Sequence, residues 1–265
     1  MTSSRYLTQR SFATRSATLL GTTALAAILA ISTGPAAAQL AWDGTNTTSG
    51  ADGGAGNWTA GSTTNWIDPN GNNVAWVNGA DAVFGEFTGA SGAVQVIGSV
   101  EVNSLTFNRI AYPAYSVYGG TVVGVGASGT TLFTNSALDI STNLAGGDWI
   151  KTGTGTIRFL AGNSYSGTTY INEGAIAISN QNALGTAAAG TIVASGATLI
   201  LNGSFTVANE ALTLSGSGYG SGALTNNHSQ SVWGGSVTLA ADTMIGASGA
   251  TQGLSLTGAV DSGSH

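Results

Sequence analysis

From residue 94 onward, apolar residues recur two apart, and each such pair is followed within a few residues by Gly, Asn or Ser. The pairs are Val94/Val96, Val100/Val102, Leu105/Phe107, Ile157/Phe159, Ile176/Ile178, Leu199/Leu201, Leu212/Leu214, Val237/Leu239 and Leu254/Leu256. A spacing of two puts both side chains on one face of an extended strand. Gly, Asn and Ser turn the chain tightly between strands. Nothing after residue 38 repeats apolar residues at i, i+3, i+4 and i+7 over several helical turns. The nearest approach, NQNALGTAAAG over 180–190, is broken by Gly185 and Gly190. The expected class is therefore all-β.

Pairs beginning at Ile176, Leu199, Leu212, Val237 and Leu254 are not strictly periodic. Their spacing is close to that of β-solenoids, whose coils of about 20 residues or more stack as rungs. Short strands with no helices between them argue against a βαβ architecture. A sandwich or barrel would also accommodate closely spaced strands. Stacking is favoured because one short rung buries too little to offset its own ordering. Neighbouring rungs then share a core and a continuous backbone ladder. Composition agrees: 41 of 265 residues are Gly and only 7% are charged, yet 42% are hydrophobic. A chain-wide core is possible, with little of the charge that keeps disordered segments expanded.

The first 38 residues differ. Arg5, Arg10 and Arg15 precede the apolar run TLLGTTALAAILAI over 18–31, and an Ala-x-Ala site follows at Ala36–Ala38. This pattern predicts a secretory signal peptide over 1–38, cleaved before Gln39. It is too short and too interrupted for a membrane span of roughly 20 apolar residues. Three of the six basic residues lie in this leader and all twelve acidic residues lie beyond it, so the remainder carries a formal charge of −9. Only Arg109, Lys151 and Arg158 oppose it. Nucleic acid is thereby argued against as a partner, since phosphate binding needs a basic surface. With no Cys, an exported chain is held by packing and hydrogen bonds alone.

Trp42, Trp58, Trp66 and Trp76 cluster within the block that precedes the paired strands. They are expected to cap the open end of the solenoid, since terminal repeats are atypical. A carbohydrate-stacking platform is the alternative. The expected organisation is a leader over 1–38, a Trp-rich cap with the first strands over 39–110, and repeats over 111–265.

The stretch WIKTGTGTIRFLAGNSYSGTTYINEGAIAIS, followed by ALGTAAAGTIVASGATLIL, resembles the autotransporter-associated β-strand repeat. Lys151, Thr152, Gly153, Gly155 and Thr156 match its opening. Gly162, Asn163, Tyr165, Gly167 and Thr169 match its middle, and Asn172, Gly174, Leu184 and Gly185 its end. The flanking blocks resemble the segments that usually surround this repeat, so the likeness covers nearly all of 42–260. The resemblance implies a right-handed parallel β-helix, exported as the passenger of a bacterial autotransporter, with an adhesive or surface-display role. It implies an outer-membrane β-barrel as partner. No such barrel follows in this sequence, which is expected to be a truncated or short form. Host-surface, carbohydrate or self-association contacts are the other partners expected.

Little in the residues points to chemistry, and no catalytic, cofactor or metal site is expected. Gly124–Gly129, GVGASG, matches a dinucleotide fingerprint, but no helix follows to present its N-terminus to a pyrophosphate. Asp52 in SGADGGAGNW does not recur as a calcium repeat would. His228 and His265 have no zinc-ligand spacing. A polysaccharide-active β-helix enzyme is the alternative function. It would need two carboxylates, or a base with charge neutralisation, drawn from Asp139, Asp148 and Glu173 beside Lys151 and Arg158.

Overall fold

A computed structural model describes residues 37–44, 53–61, 63–85, 91–108, 114–228, 230–247 and 253–263. The expected leader up to residue 36 lies outside them, as do Asp52, Arg109 and His265. Residues 37–265 form one compact unit. The described part is all-β: strands pair in parallel with the strand one turn later, which makes a β-solenoid.

The chain winds around three faces. On the first, the inward column runs Leu40, Ala82, Leu105, Leu132, Lys151, Ile171, Val193, Leu214 and Leu239. On the second, Leu138, Ile157, Ile176, Leu199 and Leu224 stack beside Ile140, Phe159, Ile178 and Leu201. The third face begins with Val100, Val122 and Leu144, and resumes as a ladder with Val207, Trp233 and Leu256. One turn is as short as Ile157 to Ile176 and as long as Leu105 to Leu132.

These registers correct the spacing read from sequence. Ile176 to Leu199 and Leu212 to Val237 are whole turns, but Leu199 to Leu212 runs from the second face past Val207 on the third to the first face of the following turn. The apparent irregularity comes from mixing columns of three faces, since Leu254 belongs to the third. Ile157, Phe159, Ile171, Ile176 and Ile178 are all buried in a single cluster that runs from Leu40 to Val237. The segment 180–190 is a series of turns, not a helix.

Corners repeat in register. Between the first and second faces the chain turns at Gly153–Gly155, then one turn later at Asn172–Gly174. Gly174 has φ of 65° there, and an added Cβ would lie 2.4 Å from the carbonyl of Gly155. Only Gly meets both conditions.

At the N-terminal end the winding changes. Trp42 pairs antiparallel with Trp66, and Trp66 with Val74, which folds the chain back over the end of the core. Trp42 and Trp66 meet edge to face at 5.0 Å, Trp58 and Trp76 at 4.9 Å, and Phe84 stacks on Phe107 at 4.6 Å. Such aromatic pairs add about 0.5–1.5 kcal/mol each beyond their burial. All four tryptophans are buried, at 2% exposure or less. They form the expected cap and leave no ring face for a sugar to stack on.

Candidate functional site

The residues that match the repeat prove to be a set of ties between rungs. Asn163 accepts a hydrogen bond from Leu144 N at 2.8 Å and donates to Ala183 O at 2.6 Å, so one amide joins three successive turns. The Tyr165 hydroxyl lies 2.6 Å from Thr169 Oγ1 inside the core. Burial pushes this phenol's pKa up, the Thr169 bond opposes that, and the charge of Glu210 adds to it. Gly185 lets the next turn rest against the Tyr165 ring.

Of the carboxylates weighed for polysaccharide chemistry, each holds a structural position. Asp139 forms a bidentate ion pair with Arg158 on the neighbouring rung, with Nη2 to Oδ2 at 2.6 Å. Asp148 accepts from Thr168 N at 2.7 Å, and Glu173 from Gly153 N at 3.0 Å. Gly124–Gly129 ends a strand and enters a tight turn with no helix after it. His228 sits in the turn after Leu224–Asn226, where its backbone is held by the Asn226 side chain. Among the described residues no three His, Cys, Asp or Glu come together as a metal site would require.

Among the described residues three charged side chains are buried, Asp43, Lys151 and Glu210, and the last two mark the unusual chemistry. Lys151 is 1% exposed and occupies the first inward column between Leu132 and Ile171. Its stem fills an apolar position while its ammonium donates to the carbonyls of Thr152, Gly153 and Glu173, at 2.8, 2.6 and 3.2 Å. Desolvation lowers its pKa to about 8, against the opposing pull of the Glu173 charge. The sequence reading placed this residue beside possible catalytic acids, but it is a core residue.

Glu210 is 4% exposed and accepts a hydrogen bond from Thr191 Oγ1 at 2.8 Å. Burial raises its pKa to about 6, with the Thr191 bond opposing. It lines a pocket of about 110 Å³ between two turns of the third face. Leu184 and Val207 form the floor, and the exposed Gln181, Asn182 and Asn209 lie at the mouth. Nothing in the segment NEALTL marks Glu210 as a site residue, since it carries no motif. The one available signal was an isolated acid directly before a strand in an otherwise uncharged stretch.

Fold and ties together define a β-solenoid of passenger type. The chain is 32% identical over 190 residues to the adhesin BmaC autotransporter of Brucella suis biovar 1 (strain 1330), a match that covers 68% of this chain. It spans about 5% of that relative's length. No family model matches the chain, and no solved structure does. The resemblance drawn from the repeat residues is met on both counts, by an autotransporter relative and by a solenoid fold.

Proposed function

We propose that this chain is a non-enzymatic stretch of an autotransporter passenger, held at the cell surface by an outer-membrane β-barrel, where it presents an adhesive face. The observation that carries the proposal is the match to an adhesin autotransporter over most of a β-solenoid. Stacked rungs give a rigid rod whose outward side chains and corner loops are displayed along its length. Commitment of Asp139, Asp148 and Glu173 to ties between rungs supports the non-enzymatic reading. Export through a leader cleaved before Gln39 fits the start of the first strand at that residue.

Beads coated with the purified chain test the adhesive role. They are expected to attach to animal-cell monolayers several-fold more than albumin-coated beads. Attachment equal to albumin would overturn the proposal. Release of reducing ends or unsaturated products from a polysaccharide panel would favour the enzymatic alternative. N-terminal sequencing of the exported chain is expected to begin at Gln39.

A further inference from the structure

A buried carboxylate needs a counter-charge, and the described residues offer none at Glu210. Its one hydrogen bond is to a neutral hydroxyl, that of Thr191. Beyond the leader the sequence has three cations. Of the two that are described, Lys151 is spent on three backbone carbonyls and Arg158 on Asp139. Yet Glu210 lines a pocket open to solvent, and among the described residues its carboxylate takes no hydrogen bond besides that of Thr191. An isolated buried charge is costly, so a cation entering this pocket gains an unusually strong electrostatic partner.

The geometry points to the Glu210 pocket as a binding site for a primary alkylammonium group, such as the tip of a lysine side chain. Three observations select this cation. With one oxygen held by Thr191, Glu210 has one oxygen left without a hydrogen bond, which suits a compact ammonium better than the two-pronged guanidinium of arginine. Gln181, Asn182 and Asn209 line the same pocket, and their side chains carry amide oxygens able to accept its remaining protons. Leu184 and Val207 give methylene groups an apolar floor.

Size agrees as well. A single water needs about 10–15 Å³ measured in this way, so 110 Å³ holds an ammonium with part of its stem. A divalent ion is disfavoured because calcium takes six or more oxygens, usually with several carboxylates. Glu210 is the sole carboxylate among the lining residues. The net negative charge of the chain favours approach of a cation. None of this depends on the adhesive reading.

The test is NMR titration of the isotopically labelled chain with n-butylamine at pH 7.5. Shifts are expected to be confined to residues 181–187 and 207–210. Glu210→Gln keeps the Thr191 bond and should weaken binding about tenfold or more. Ala187→Trp, which fills the pocket mouth and leaves Glu210 in place, should do the same if the first variant folds poorly. n-Butanol and butylguanidinium should bind at least about tenfold more weakly. Titration with Nα-acetyl-lysine methylamide separates the sources: binding of both amines assigns the site to lysine side chains, and binding of butylamine alone assigns it to free amines. Absence of shifts up to tens of millimolar butylamine, equal binding by Glu210→Gln, or an equal response to butanol overturns the proposal.

Discussion

At Lys151 a column of Leu, Ile and Val side chains is interrupted by an ammonium group, and the column nevertheless continues. The four-carbon stem occupies the apolar position, while the charged end reaches the corner and binds three carbonyls. Lys151→Ala removes both, leaving a void and unsatisfied acceptors. A loss of about 2–4 kcal/mol is expected in urea unfolding. Lys151→Met keeps the stem and should cost less than half as much. The sign of the pH effect follows from the lowered pKa. Above about 10.5 both folded and unfolded chains hold a neutral amine; as pH falls toward 8 the unfolded chain takes the proton first. Stability should therefore rise between pH 8 and 10.5 in the wild type and not in Lys151→Met.

Glu210 works in the opposite sense. Its folded pKa of about 6 lies above the ordinary 4.5, so the folded chain binds the proton more tightly. The resulting stability is present below pH 4.5 and is lost as pH rises through 6. Glu210→Gln is neutral throughout and should match the wild type near pH 4. At pH 7.5 it should exceed the wild type by about 1 kcal/mol, a figure reduced because the pocket-facing oxygen still meets water. Thermal unfolding at the two pH values measures this directly. A Gln that stabilises equally at both would separate the effect from ionisation.

Corners are where local sequence and stacking meet. Gly174 and Gly196 have similar positive φ values, 65° and 87°. Their surroundings differ: a Cβ at Gly174 meets backbone carbonyls of the preceding corner, whereas at Gly196 it meets nothing within 4 Å. Gly196→Ala should cost about 1–2 kcal/mol, the left-handed backbone alone. Gly174→Ala adds a clash with a rung that cannot move independently and should cost about 3 kcal/mol or more. Equal losses in the two variants, by chemical denaturation, would show that the corner ladder is looser than its geometry.

The same contrast explains what could be read from the sequence. Paired apolar residues such as Ile157/Phe159 and Ile176/Ile178 revealed strands and their inward faces, because a period of two is local. The matching Gly and Asn positions revealed corners. Face assignment was not local: Leu199 and Leu212 look like successive repeats, yet one lies on the second face and the other on the first face of the following turn. Lys151 and Glu210 were illegible for a related reason. A charged residue reads as exposed until the register shows Leu132 and Ile171 on either side of it, or the hydroxyl of Thr191 opposite it.

As a whole, the molecule is a stack in which each turn touches the turns before and after it. Stability is then close to a sum of rung terms and nearest-neighbour interfaces, and the unit that can be removed is a whole register repeat. Trp149 pairs with Thr169, so deleting residues 149–168 joins Asp148 to Thr169 and presents equivalent strand positions to the rungs on both sides. The cost is the loss of Lys151, Asn163 and Tyr165 as ties, and the reward is an unbroken inward column from Leu132 to Ile171. Deleting residues 149–158 removes about half a turn and sets first-face residues against the second face, so that no register of the downstream rungs matches the upstream ones. The first variant should retain β-type circular dichroism and unfold cooperatively at a lower temperature than the wild type. The second should lose cooperative unfolding altogether. If both behaved alike, the turns would not be exchangeable units, and the nearest-neighbour description of this solenoid would be wrong.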